Sequence, residues 1–430
     1  MQIAVVLIFM AVAGLALAIA FHSGYIKNKT QAIVAVLGIV CAFGLRFIMM
    51  NHVTLDYTDF LSRWLLHFRE NGGFLAIPTY RGNYNVPYIY FLSLISGSNL
   101  YGLHLIKLFS IFFDVILAWG CALTVGLFKK SPAYGLATFL SVLLLPTVIL
   151  NGAAWGQCDS VYVAFAVFSV YFALSKRPEL SVAFIALSFA FKLQAVFIMP
   201  VFAVFLFTGR IKFRHIFIFP ATYLLLVLPA VLLGKPLIDT ITLYFTQLDT
   251  VGGGYNYNSP SVFAFFRGPA VQAVSFLFIL ICANLTALVI YLASKNGKKT
   301  SDLTLLTAAA LFSVLVPFIL PHMHDRYFFP ADIMTLIYAF VLPEFFALPV
   351  LSQFASLLGY HAYLKRRYFL PMHYGAFILV FVIASLFVSL CFMSRADRLS
   401  YLFSLGEDGD LSGSESRPVA AAASDTDTQV

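Results

Sequence analysis

The sequence predicts an all-α polytopic membrane protein, and three observations carry that prediction. Of its 430 residues, 61% are hydrophobic and only 11% charged. The mean hydropathy is +0.90, whereas a soluble globule carries about 25% charged residues. Apolar stretches of the ~20 residues that a bilayer crossing needs recur from Met1 to about Met393. The basic residues fall in short connections between those stretches, where membrane orientation accounts for them. The formal charge of +8 is therefore no sign of a nucleic-acid partner.

Taken in order, the expected helices lie near 3–21, 31–50, 100–128, 133–150, 158–175, 216–233, 270–293, 303–320, 328–342 and 373–393. The first lacks a charged n-region and is too long for an ordinary signal-peptide core, so it reads as a retained helix. The chain divides into a membrane domain, 1–394, and a polar tail, 395–430, in which the stretch 406–430, rich in Ser, Ala, Asp and Gly, has too little apolar surface to fold. The five cysteines, Cys41, Cys121, Cys158, Cys282 and Cys391, are scattered singly and read as small apolar residues.

Charge sets the expected topology. Lys27 with Lys29, Lys129 with Lys130, Lys176 with Arg177, and Lys295 with Lys298 and Lys299 occupy alternate connections, which places those on the cytoplasmic side. The opposite side then carries 51–99, a long first extracytoplasmic loop, together with 151–157, 234–268 and 321–327. Residues 180–208 break the alternation, because basic residues flank both ends. A single long helix with Lys192 snorkelling to an interface is one solution. Two half-helices meeting near Lys192-Leu193-Gln194 is the other, and it alone satisfies the charges. Residues 343–372 are ambiguous: Lys365, Arg366 and Arg367 fall on either side according to whether one helix intervenes.

The polar residues without a topological role gather in the extracytoplasmic segments. Asp56 and Asp59 stand three residues apart, a spacing that puts both on one face of a helical turn. The aromatic run Tyr80 to Tyr90, with Arg81 and Tyr84 in it, fits either an interfacial aromatic belt or a surface for sugar or headgroup stacking. Trp155-Gly156-Gln157-Cys158-Asp159-Ser160 opens a helix, where Asp159 and Ser160 have the alternative role of capping free backbone N–H groups. In His322-Met323-His324-Asp325-Arg326-Tyr327, the two histidines lack neighbouring ligands at zinc spacing, so no metal site and no cofactor is expected. Arg326 is a charge at a membrane boundary, costly unless partnered, and phosphate is the natural partner of a guanidinium.

Carboxylates, fixed cations and aromatic surface beside a lipid-soluble bundle fit sugar transfer from a polyprenyl phosphate. The tail stays in the membrane, the departing phosphate needs cations, and the acceptor hydroxyl needs a base. A transporter or lipid flippase, the rival reading, calls for midplane charges and two similar halves. No internal repeat stands out.

Asp56-Tyr57 ahead of Trp64, Trp155-Gly156-Gln157-Cys158-Asp159, Phe191-Lys192-Leu193-Gln194 with Pro200, and His322-Met323-His324-Asp325-Arg326 follow the order seen in GT-C glycosyltransferases. Over roughly 31–345 the chain resembles bacterial integral-membrane mannosyltransferase-like proteins related to the second GPI mannosyltransferase. More distantly it resembles the dolichyl-phosphate-glucose-dependent glucosyltransferases. The resemblance implies a GT-C-type bundle of roughly 10–13 transmembrane helices and an inverting, metal-independent hexosyl transfer, mannose favoured. It maps the general base onto Asp56, with Asp59 in reserve, and donor-phosphate contacts onto Arg326, Lys192 and Arg81. Sugar or acceptor contacts fall to Tyr84, Trp155, Gln157, Asp159, Gln194, His322, His324 and Asp325, although Leu193 intervenes between Lys192 and Gln194 where the glucosyltransferase pattern has none. The expected partners are a polyprenyl-phosphate-linked sugar, a glycan, lipid or protein acceptor, and membrane lipids. The expected place is a bacterial plasma membrane rather than the endoplasmic reticulum, since the tail carries no retention ending.

Overall fold

The computed structural model describes residues 1–250, 254–266, 268 and 271–412. The remainder of the expected tail, 413–430, lies outside the described residues. The fold is helical almost throughout, and its local causes are visible in the sequence. Helices α1 (Ile3–His22) and α2 (Lys29–Met49) form the first hairpin, with the Asn28 side chain capping α2 by accepting from the Gln31 N–H. A π-helical turn, Tyr57–Leu61, runs into α3 (Ser62–Glu70), and α4 (Val86–Ser96) follows. Then come α5 (Gly102–Phe128), α6 (Pro132–Leu144), the single turn α7 (Pro146–Ile149), a second π-helical turn Leu150–Trp155, and α8 (Asp159–Leu174). Helices α9 (Pro178–Phe191), α10 (Val201–Phe207), α11 (Phe213–Ile216), α12 (Ile218–Leu232) and α13 (Leu237–Thr250) lead to α14 (Val271–Ser294). Helices α15 (Asp302–Ile319), α16 (Phe329–Val341), α17 (Ala347–Lys365) and α18 (Met372–Ser412) complete the bundle. Prolines open α6, α7, α9 and α16, where a missing N–H costs nothing.

Among the described residues, eight helices are long and apolar enough to cross a membrane. The pair α6 with 146–155, bent by 50°, makes a ninth, and α8 and α16 are shorter apolar helices. The expected span 133–150 is thus broken at Pro146. Helix α15 is the bundle's centre, with 89% of its apolar window buried, whereas α14 buries 17% and turns the rest outward. The one strand pairing described is the parallel contact of β1 (Asn256–Tyr257) with β2 (Met323–His324).

The ambiguous stretch 180–208 is a broken hairpin. Helix α9 stops at Phe191 because Lys192 adopts an extended backbone, a 3₁₀ turn spans Leu193–Phe197, and α10 returns. The return is fixed by His215, just beyond α10, whose Nε2 lies 3.3 Å from Glu179 Oε1 in the first turn of α9. Both arms therefore open at one end of the bundle, and the break carries Lys192 inward.

That end also holds the basic connections. Lys298 packs against Gly209, and Arg210 pairs with Asp302 at 2.6 Å. Asn296 Nδ2 donates to the Ser394 carbonyl at 2.7 Å, so α18 finishes there too, running on as helix to Ser412 past the expected end of the span. The segment 343–365 is one further helix, and it carries Lys365–Arg367 to the opposite end, where Tyr363 meets Asp56.

Candidate active site

At the end of the bundle away from the basic connections lies a cleft of about 510 Å³. Asp56, Trp64, Tyr84, Gln157, Lys192, Gln194, His324, Asp325, Arg326 and Tyr363 are among the residues that line it. The segments that supply them are far apart in the chain, and each is tied down.

The Asp56 segment is anchored from below by Lys107 of α5, which is fully buried and donates to the carbonyls of Met49, Met50 and His52 at 2.8, 3.2 and 2.6 Å. It thereby takes up the free carbonyls at the end of α2. Thr54 Oγ1 donates to the Trp155 carbonyl at 3.1 Å, and the Asp56 N–H donates to Tyr363 Oη at 3.0 Å. The side chain is then aimed: Trp155 Nε1 donates to Asp56 Oδ2 at 2.8 Å and Gln157 Nε2 donates to the same oxygen at 2.6 Å. Two neighbouring side chains reach one oxygen because Gly156 between them is left-handed (φ +79°), a conformation that costs glycine nothing.

The cations stand opposite. Lys192 Nζ donates to Asp159 Oδ1. Arg326 spreads over three carboxylates, with Nη1 3.7 Å from Asp56 Oδ2, Nε 3.5 Å from Asp159 Oδ2 and Nη1 3.9 Å from Asp325 Oδ1. None of these is short, and Arg326 Nε, though buried, has no hydrogen-bond partner. Burial opposes the charge on Arg326, but the carboxylates of Asp159 and Asp56 more than offset it and hold the guanidinium protonated. Burial also lifts Asp325 from 3.8 to about 7 and lowers His324 from 6.5 to about 3. Around neutral pH His324 is thus neutral and Asp325 about half protonated.

Several roles differ from the sequence expectation. Trp155 is fully buried, stacked on Tyr363 (3.9 Å, 11°) and covered by the Arg326 guanidinium at 5.3 Å, so it holds Asp56 and Arg326 and has no face open to a sugar. Asp159 is also buried: it accepts from Asn151 Nδ2 at 2.7 Å and orients Lys192 and Arg326 in place of capping α8 or meeting substrate. Asp59 does not join Asp56. A π-helical turn takes more residues per turn, so a three-residue step falls short of the same face, and Asp59 stays exposed, its Oδ1 accepting from Thr58 at 3.2 Å. Arg81 lies outside the cleft, 73% exposed and 3.9 Å from Asp239. His322, left-handed at φ +62°, sits behind the cleft: its ring is tilted on Tyr255 and its Nδ1 lies 2.9 Å from the Gly254 carbonyl. His324 stacks on Tyr257 (4.5 Å, 11°), so the two histidines fasten residues 254–258 to the Arg326 loop. Tyr84 donates to Gln157 Oε1 at 3.1 Å, and Gln194 bonds Tyr327. The aromatic run is not a belt at the lipid surface, since Tyr80 and Tyr88 are buried among Phe68, Ile77 and Leu92.

Sequence reasoning missed Tyr363, Tyr360, Asn151 and Lys107. The first two lie on α17, in the stretch whose orientation the charges left undecided. Lys107 carried a usable signal, a lysine six residues into an apolar span.

Fold and cleft define an integral multi-pass membrane protein with a carboxylate–cation centre at one end of its bundle. The family comparison narrows this: the model of glycosyltransferase family 87 matches residues 91–317, and the chain belongs to that family, which makes it a membrane glycosyltransferase of the GT-C type. The match takes in Trp155, Gln157, Asp159 and Lys192, while Asp56 and Arg326 fall outside it. No curated protein and no solved structure matches the chain.

Proposed function

We propose that this glycosyltransferase moves a hexose, mannose favoured, from a polyprenyl-phosphate donor to an acceptor hydroxyl, with inversion, at the extracytoplasmic face of a bacterial plasma membrane. The observation that carries the reading is the position of Asp56, one carboxylate oxygen held by Trp155 and Gln157 and facing Arg326 across the cleft. The other oxygen takes the acceptor's proton. The acceptor oxygen then bonds to the anomeric carbon, while the bond from that carbon to the phosphate oxygen breaks and its electron pair leaves with the polyprenyl phosphate. Arg326, with its unpartnered Nε, and Lys192 receive the added charge. A positioned base contributes ~100- to 10,000-fold. Fixed cations in a sheltered site contribute comparably, because they are in place before charge develops.

Tyr84, Gln157, Gln194, His324 and Asp325 face the donor sugar or the acceptor, whether that acceptor is glycan, lipid or protein. His324, held neutral by burial, and Asp325, whose carboxyl burial pushes up to about 7, suit hydroxyl recognition, since a neutral imidazole and a protonated carboxyl each both donate and accept. The test is transfer of radiolabelled sugar from polyprenyl-phosphate-mannose by purified Asp56→Asn protein. Loss of transfer with an unchanged gel-filtration profile is expected; full activity in that variant removes Asp56 from the base role.

A further inference from the structure

Lys365, Arg366 and Arg367 stand at the wrong end of the molecule for topology to account for them. The other basic connections gather at one end, and positive charge in short loops marks the cytoplasmic side. Helix α17 runs the opposite way, since Tyr363 near its end accepts from the Asp56 N–H. The three cations and the following Tyr368 and Phe369 are exposed, the last two at 59% and 67%. Among the described residues no carboxylate pairs with any of the three cations.

The turn is also placed at a definite depth. It joins two helices long and apolar enough to cross a membrane, Pro343–Lys365 and Met372–Ser400, so residues 366–371 lie where spans end and headgroups begin. Its shape is built: Arg366 is left-handed at φ +53°, His361 Nδ1 lies 3.0 Å from the Arg367 carbonyl, and Tyr368 Oη donates to Asn258 Oδ1 at 2.5 Å. Asn258 lines the cleft, so this turn forms part of its rim.

We propose that the turn Lys365–Arg367 is a binding site for the phosphate of an anionic membrane lipid, with Tyr368 and Phe369 seated at the boundary between headgroups and acyl chains. Phosphate satisfies the unpaired cations, and exposed aromatic side chains favour that interface. The site does not depend on the transfer reaction proposed above, and its test needs no turnover.

The experiment places the photo-cross-linker p-benzoylphenylalanine at Phe369 and reconstitutes the full chain in nanodiscs of phosphatidylcholine with a minority of phosphatidylglycerol. Cross-linked lipid is identified by mass spectrometry. Each surface cation strengthens anionic-lipid binding roughly fivefold, and three together on the order of a hundredfold. The captured ratio of phosphatidylglycerol to phosphatidylcholine should therefore exceed the bilayer's own ratio at least ~10-fold. The combined variant Lys365→Gln, Arg366→Gln, Arg367→Gln should return capture to the bilayer's ratio. Capture of phosphatidylglycerol in simple proportion to its abundance by the unaltered turn, or enrichment that survives the triple variant, overturns the proposal. Should the triple variant not fold, salt decides on the wild-type turn. Enrichment that collapses between low and high NaCl supports a phosphate contact, and enrichment indifferent to salt refutes it.

Discussion

Two arginine–carboxylate centres sit in this bundle, and they are built to opposite specifications. Arg46 and Asp114 are both fully buried, and Arg46 Nε and Nη2 donate to Asp114 Oδ2 at 3.0 and 2.9 Å. Arg46 Nη1 donates to the carbonyls of Ala42 and Leu143 at 3.0 and 2.7 Å, and Ser160 Oγ donates to the remaining carboxylate oxygen. Every strong contact is short. At Arg326 the same chemistry is loose: contacts of 3.5 to 3.9 Å to three carboxylates, an idle Nε, and an open cleft. The first centre spends its hydrogen bonds on itself and locks α2, α5, α6 and α8 together. The second keeps capacity for a ligand. In a membrane bundle, then, how completely an ion pair is satisfied says more about its role than whether it is buried.

That contrast can be broken by substitution. Arg326→Gln should lower sugar transfer by ~100- to 1,000-fold, the usual cost of removing one stabilising donor, while the melting temperature in detergent moves little, because Asp56 opens on the cleft and buried Asp159 keeps Lys192 and Asn151 as partners. Arg46→Gln should do the reverse. It leaves Asp114 charged, buried and unpaired, a loss of about 3–5 kcal/mol, read as a collapse in folded yield by size-exclusion fluorescence. If Arg326→Gln unfolds the protein and Arg46→Gln only slows it, the assignment of roles is inverted. Arg46→Met combined with Asp114→Leu sharpens the point: replacing the whole pair by apolar side chains of similar bulk should recover most of the folded yield.

A smaller effect separates Asp325 from its neighbours. Its folded value of about 7 lies above the ordinary 3.8, so between about pH 4 and 7 the native state holds a proton that the unfolded chain has released. Stability from this group is present at the acid side, declines as pH rises through that window and is flat above 7. Asp325→Asn, which mimics the protonated form, should remove that slope from the melting temperature measured between pH 4.5 and 7.5. A slope unchanged in the variant assigns the pH dependence elsewhere. The smallest effect is expected at Asp59. Asp59→Asn should leave transfer within about twofold in the same assay, since exposed surface substitutions cost little, and a large loss would return Asp59 to the reaction.

Much of this architecture was legible in advance, for a physical reason. Lipid solvates only apolar surface, so spans announce themselves by composition, and short loops announce their side by charge. The same rule exposed the break at Lys192, because a hairpin was the arrangement that left basic residues on one side of both ends. It left 343–372 open, since Lys365–Arg367 fall on either side according to whether one helix intervenes. The place of α17, and with it of Tyr363 and Tyr360, therefore waited on the tertiary structure.

What composition and motif order determined by themselves is that this is a helical membrane protein whose polar residues collect at one end, and which residue types gather there. What only the tertiary structure decided is who holds whom. Trp155 is 99 residues from the carboxylate it orients and Tyr363 is 307 from the backbone it anchors. One π-helical turn sends Asp59 outward while Asp56 faces in. Hydropathy and charge act on a side chain through its solvent, which sequence reports locally. Hydrogen bonds act at about 3 Å in a fixed direction, and which atoms come that close is set by packing the helices against one another.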